Sequence, residues 1–127
     1  MSDTTTRGIR IQVHVDYIEE RSDPDQNYYF YAYTIRITNN GHERVQLINR
    51  HWDIVDANGK QEVVHGPGVV GQQPKIAPGE RFEYTSFCPL TTSFGSMSGN
   101  YEMITDSGDR FFAQIGSFAL VRAFEVN

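Results

Sequence analysis

The sequence predicts an all-β protein: a two-layer antiparallel β-sandwich of seven to eight strands, immunoglobulin-like or fibronectin type III-like in topology. Three observations predict it. Apolar and polar residues alternate with a period of two in several segments, turn signals separate those segments at fairly regular intervals, and no segment between them carries the 3.6-residue period of a helix. At 127 residues the chain suits one domain, able to bury roughly two-thirds of the surface its unfolded form exposes.

The elements follow in order. Met1 to Arg7 is polar and is expected to be a flexible amino-terminal tail, residues 1–7, with a single domain over residues 8–127. From Gly8, Ile9, Ile11, Val13, Val15 and Tyr17 alternate with Arg10, Gln12, His14 and Asp16, the clearest strand in the chain. The acidic turn Asp23-Pro24-Asp25-Gln26-Asn27 leads into Tyr28 to Thr38, rich in aromatic and β-branched residues, which Asn39-Asn40-Gly41 ends. Val45 to Asn49 continues through Trp52, Ile54 and Val55 to the turn Asp56-Ala57-Asn58-Gly59 and on to Gln61-Glu62-Val63-Val64, a hairpin. Pro78-Gly79-Glu80 resets the chain into Arg81 to Phe87. Met97 to Ile104, the turn Asp106-Ser107-Gly108-Asp109 and Arg110 to Ile115 make a second hairpin, with Phe118 to Val121 close behind.

Composition narrows the partners. Eleven Lys and Arg against 16 Asp and Glu give a formal net charge of -5, which repels a phosphate backbone at long range, so nucleic acid is not expected. The single cysteine, Cys88, allows no internal disulfide framework, and its apolar neighbours Phe87, Pro89 and Leu90 predict a buried structural thiol rather than a nucleophile. No apolar run approaches the roughly 18 residues of a spanning helix, so membrane insertion is not expected. The polar start of the chain lacks the apolar core of a signal peptide, and a cytoplasmic location is the expectation.

The stretch Gly66-Pro67-Gly68-Val69-Val70-Gly71 matches G-x-G-x-x-G but lies among strand patterns. Pro74 and Pro78-Gly79 prevent the helix that a dinucleotide fold places after its glycines, so the motif reads as a backbone loop. A sheet-crossing loop is one reading. The other is an anion site, in which Gly66, Gly68 and Gly71 expose amides and Lys75 and Arg81 supply charge for a phosphate, pyrophosphate or nucleotide.

Other candidates are weighed the same way. His14 with Asp16 and His51 with Asp53 stand at i, i+2 on a strand and so share a side; each pair supplies two metal ligands where most sites use three or four. His65, beside the glycine loop, is a hydrogen-bonding partner or an anion contact when protonated. The serines form no nucleophile elbow, no catalytic residue is assigned, an enzyme is not expected, and no cofactor is implied. Tyr28, Tyr29, Tyr31 and Tyr33 put aromatics on both faces of one strand, and the face turned away from the core is a candidate surface for a protein partner or a second copy of the chain.

The order of three segments is specific: the glycine loop through Pro74, then Pro78-Gly79-Glu80-Arg81-Phe82-Glu83-Tyr84-Thr85-Ser86, then Gly95-Ser96-Met97-Ser98-Gly99-Asn100-Tyr101. With Asn49-Arg50-His51-Trp52, this order resembles the ApaG family from about Arg7 to the carboxyl end. The resemblance implies a fibronectin-type sandwich and a non-enzymatic interaction module, because the same domain occurs in eukaryotic F-box proteins and in a polymerase-delta-interacting protein. The bacterial family, also called CorD, is associated with cobalt resistance and magnesium efflux, so the resemblance also implies a link to divalent-cation homeostasis.

Overall fold

In the computed structural model, residues 1–122 are described, and they fold into two antiparallel sheets of nine strands, one more than the upper expectation. The strands are β1 (Ser2–Thr6), β2 (Ile9–Tyr17), β3 (Tyr29–Asn39), β4 (Val45–Asp56), β5 (Gln61–Pro67), β6 (Lys75–Ile76), β7 (Arg81–Leu90), β8 (Gly95–Thr105) and β9 (Arg110–Leu120). One sheet has the order β1-β2-β3-β7; the other has β5-β4-β8-β9, with β6 pairing the start of β4. The only helical turns among the described residues are single 3-10 turns, Glu19–Arg21 and Pro24–Gln26, and no helix is long and apolar enough to cross a membrane.

The amino-terminal residues expected as a tail are a strand. Ser2 to Thr6 pairs with Val13 to Ile9 through a two-residue turn in which Arg7 and Gly8 both have positive φ, the primed hairpin geometry that matches strand twist. The threonines supply β-branched shape without apolarity, so hydrophobic alternation is absent. β6, with Ile76 buried in the core, falls between two prolines and is too short to register as a strand.

The core lies between the sheets, where Ile9, Ile11, Ile35, Ile37, Leu47, Tyr101 and Met103 are almost wholly buried. Trp52 sits at its centre, with ring centroids 5.4 Å from Tyr33, 5.9 Å from Phe118 and 6.4 Å from Tyr101, all in edge-on packing. Side chains of this size each contribute roughly 1.5–3 kcal/mol on burial.

Two bulges redirect side chains. Between β8 and β9 the register shifts from Met97↔Phe118 to Gly99↔Ile115, so the inward positions of β9 run Ala113, Ile115, Phe118, Leu120. The broken alternation made β9 read as two segments, whereas the structure has one strand. In β4 the register passes from Leu47↔Met103 to Asn49↔Glu102, with Ile48 as the extra residue. Because one inserted residue exchanges faces, Arg50, Trp52 and Ile54 turn to the inner side of β4, and His51 and Asp53 turn outward.

The two lateral seams of the sandwich differ. On one side β1 and β2 pack against β9, and the Gln114 amide donates to Thr6 Oγ1 at 3.1 Å. On the other side, between β5 and β7, no comparable strand-to-strand packing closes the sheets among the described residues, and the glycine loop lies there.

Candidate functional site

The open seam holds a small polar cavity of about 260 Å³ lined by Tyr33 of β3, Arg50 and Trp52 of β4, Val69, Val70 and Gly71 of the loop, and Tyr84 and Ser86 of β7. The β4 bulge turns Arg50 and Trp52 toward the cavity and anchors the loop beside it. The Ile48 carbonyl accepts the Gly68 amide at 2.8 Å and Gln73 Nε2 at 2.9 Å, which fastens both ends of the loop to β4. Two residues on, Arg50 Nη1 donates to the carbonyls of Pro67 and Gly68, each at 3.0 Å. Gly66 faces Arg50 across the β4–β5 pair, and a Cβ there would lie 2.7 Å from Nη2, so only glycine leaves room for the guanidinium. Gly68, at φ +60°, has the Gln72 carbonyl where a Cβ would stand, 2.1 Å away.

Electrostatics here are those of buried phenols beside one cation. Burial pushes the Tyr33 hydroxyl up, against a hydrogen bond from Ser86 and the charge of Arg50, which lower it. Tyr84 and Tyr101 share a hydrogen bond between their hydroxyls, and burial raises both well above the ordinary phenol range. Cys88 is buried and its thiol is pushed up to about 11, first by desolvation and then by the charge of Glu62, which suits a structural thiol.

The five residues expected to form an anion site are not brought together. Gly66 is covered by the Arg50 guanidinium, the Gly68 amide is bonded to Ile48, and Gly71 at φ +77° closes a turn in which Val69 and Gln72 exchange amide-to-carbonyl bonds at 2.8 Å. Lys75 pairs with Gln46 in the β4–β6 ladder and Arg81 opens β7 in the opposite sheet, opposite Thr38; neither lines the cavity. Three of the loop's amides are thus used internally. The cation that sequence reasoning missed is Arg50, whose inward direction depends on the bulge at Ile48.

The metal candidates form pairs. His14 Nε2 and Asp16 are 3.2 Å apart on the exposed face of β2. His51 Nε2 lies 3.1 Å from Asp53, and hairpin register adds a third group, His65, whose Nδ1 is 3.1 Å from His51 Nδ1. With both rings neutral, His51 Nε2–H donates to Asp53, so its Nδ1 accepts the proton of His65 Nδ1. The contacts among these three groups use the ring nitrogens of His51 on each other's account, and among the described residues no group of three or more His, Cys, Asp or Glu is arranged to hold a metal ion.

The aromatic strand divides by parity. Tyr31 and Tyr33 are buried and face the core, and Tyr29 is partly buried against it; only Tyr28 of the four is exposed. On the outer face, Phe30 stacks on Phe87 of β7 with centroids 5.3 Å apart, Tyr28 stands 6.1 Å from Phe30, and the Arg21 guanidinium lies 4.1 Å over the Phe30 ring. Phe87, 51% exposed, is the residue that strand-by-strand reading could not attach to this cluster, because it joins it only through β3–β7 pairing. Glu19, Glu20, Asp23 and Asp25 are exposed on the segment that carries Arg21.

Comparison with known proteins gives a consistent result. A family model described as the ApaG domain matches residues 19–105. A relative from Beijerinckia indica, named Protein ApaG, is 52% identical over 124 residues, 98% of this chain and 95% of its own. A second Protein ApaG, from Xanthobacter autotrophicus, is 54% identical over 115 residues, 91% of this chain and 88% of its own. The crystal structure of a Bordetella pertussis protein given the name ApaA superposes with TM-score 0.90 at 45% identity, covering 94% of this chain and 98% of that one. The carboxyl-terminal domain of wzt shares the fold, with TM-score 0.56 at 9% identity over 96% of this chain and 77% of that one.

Proposed function

This chain belongs to the ApaG family, and we propose that it serves as a non-enzymatic recognition domain that docks a second protein on the outer aromatic face shared by β3 and β7. The observation that carries this reading is the stack of Tyr28, Phe30 and Phe87, with Phe87 half exposed beside an acidic rim of Glu19, Glu20, Asp23 and Asp25. Aromatic side chains bring large contact area at low entropic cost, and they dominate the centres of protein interfaces. The rim selects for a partner whose apolar side chains are flanked by Lys or Arg. On this reading the divalent-cation link implied for the family, cobalt resistance and magnesium efflux, runs through the partner protein and not through a metal ion held by the His pairs.

The test installs a photo-cross-linking amino acid at Phe87 in living cells, identifies the adduct, and measures the purified partner against the chain by calorimetry. The expected result is saturable binding that weakens about tenfold or more with Phe87→Ser and with rising salt. Binding of the purified partner that ignores both Phe87→Ser and Tyr28→Ser would overturn the reading. Self-association that Phe87→Ser abolishes would identify the partner as a second copy of the chain.

A further inference from the structure

We propose that the cavity at the open seam is a carboxylate-binding site, in which Arg50 receives the carboxylate side-on and the hydroxyl of Tyr84 donates to it. The site lies on the opposite side of β7 from the aromatic face and goes beyond the docking reading.

The donors can be counted. Both hydrogens of Arg50 Nη1 are committed to the Pro67 and Gly68 carbonyls. Nε and Nη2 have no bonding partner among the described residues, and no carboxylate there lies within ion-pair distance of the guanidinium. Those two nitrogens form the side-on edge of the guanidinium, which matches the two oxygens of a carboxylate. The loop carbonyls hold the head group fixed, so binding costs little additional side-chain entropy.

Tyr84 supplies the second donor by elimination. The Tyr101 hydroxyl is fully buried, and its one partner is the Tyr84 hydroxyl, so Tyr101 gives its proton to Tyr84. The proton of Tyr84 is then available to the cavity that Tyr84 lines. Ser86, on the same side of β7, gives its proton to the Tyr33 hydroxyl, which also lines the cavity.

Size and charge select the ligand. At about 260 Å³ the cavity falls below the roughly 300–1,000 Å³ of pockets for drug-sized molecules, so it suits the head of a ligand and not a nucleotide. Arg50 is the only Lys or Arg in its lining, which balances one negative charge and leaves a phosphate dianion under-neutralised. The carboxylate can belong to a small free acid or to the end of a polypeptide chain; the recognition chemistry is the same.

The experiment is an NMR titration of the full chain that follows backbone amides and the Arg50 Nε–H resonance. One arm adds acetate, a second adds an acetylated tripeptide with a free carboxylate, a third adds the same peptide amidated, and a fourth adds inorganic phosphate. Saturable shifts at Arg50, Val70, Gly71 and Ser86 with acetate or the free-carboxylate peptide are expected, with about tenfold weakening in Arg50→Lys, which keeps the charge and loses the fork. Preference for the peptide over acetate identifies a chain terminus as the source, and parity identifies a small acid. Tyr84→Phe, which leaves Arg50 and its loop bonds in place, is expected to weaken binding severalfold and guards against loss of fold in the Arg50 variant. The proposal is overturned by no saturable response to either carboxylate, by tighter binding of phosphate, by an equal response to the amidated peptide, or by shifts that persist unchanged in both variants.

Discussion

The two seams of the sandwich are built from opposite materials. At the closed seam, β1 meets β9 through small polar side chains: Gly116 is so close to Thr4 that a Cβ would lie 2.4 Å from its hydroxyl, and Thr6 accepts the Gln114 amide. At the open seam, β5 and β7 stand apart around Arg50, two tyrosines and a loop that bonds mostly to β4. The difference teaches that a sandwich with only one seam zipped still buries its core residues. The other is released to hold polar groups only partly satisfied by their neighbours, and such groups are where recognition chemistry can be placed.

Alkaline pH separates the seams most strongly. Cys88, Tyr33, Tyr84 and Tyr101 all have folded-state values raised by burial, whereas β1 and β9 bring no such group to the closed seam. Each raised group binds its proton more tightly in the folded state, so its contribution is complete below the unfolded value and is lost as pH rises through the folded one. For Cys88 that window runs from 9.0 to about 11; the tyrosines follow from 10.0 upward. Each group entering its window adds a slope of up to about 1.4 kcal/mol per pH unit. Urea midpoints measured from pH 8 to 11 should fall from about pH 9, and Cys88→Ala should flatten the first part of the fall. An unchanged profile in that variant would break the assignment of the effect to the open seam.

Glycine substitutions sharpen the comparison by asking how far damage spreads. Gly68→Val places a Cβ against the Gln72 carbonyl at a positive φ and should cost about 2–3 kcal/mol, with lost amide protection confined to Gly68, Val69 and Gln72. Gly116→Val meets a hydroxyl that can rotate, so about 1–2 kcal/mol is expected, felt along β1 by hydrogen exchange. Protection lost equally at both seams in either variant would show that they are not separate units.

What the sequence made legible follows the same division. β2, β3 and both hairpins were readable because apolar alternation and turn residues agree there. β1 was not, since Thr4 and Thr6 fill the closed seam with hydroxyls where a core strand would show Val or Ile. At the open seam the glycines were visible, but not that Gly66 makes room for a guanidinium. Arg50 was unreadable because a single residue, Ile48, decides its face, and a bulge leaves no composition signal. His65 and Phe87 joined their clusters only through strand register, which local sequence does not specify.

The smallest effect discriminates the two members of the tyrosine pair. Tyr101 is wholly enclosed and its hydroxyl has Tyr84 as its one partner, whereas Tyr84 borders the cavity. Tyr84→Phe therefore strands a buried hydroxyl, and a group left unsatisfied in that way costs about 1–3 kcal/mol. Tyr101→Phe removes the enclosed hydroxyl itself and leaves Tyr84 its access to the seam, so the cost should be smaller by about 1 kcal/mol. Chemical unfolding of the two variants measures the difference directly. If Tyr101→Phe were the more costly, the Tyr101 hydroxyl would be accepting from Tyr84 instead of donating to it, and the proton at the mouth of the cavity would have to come from the Tyr33 hydroxyl, to which Ser86 donates. The ordering of two conservative substitutions thus reports which way a single hydrogen bond points, and with it which residue of the open seam is free to meet a ligand.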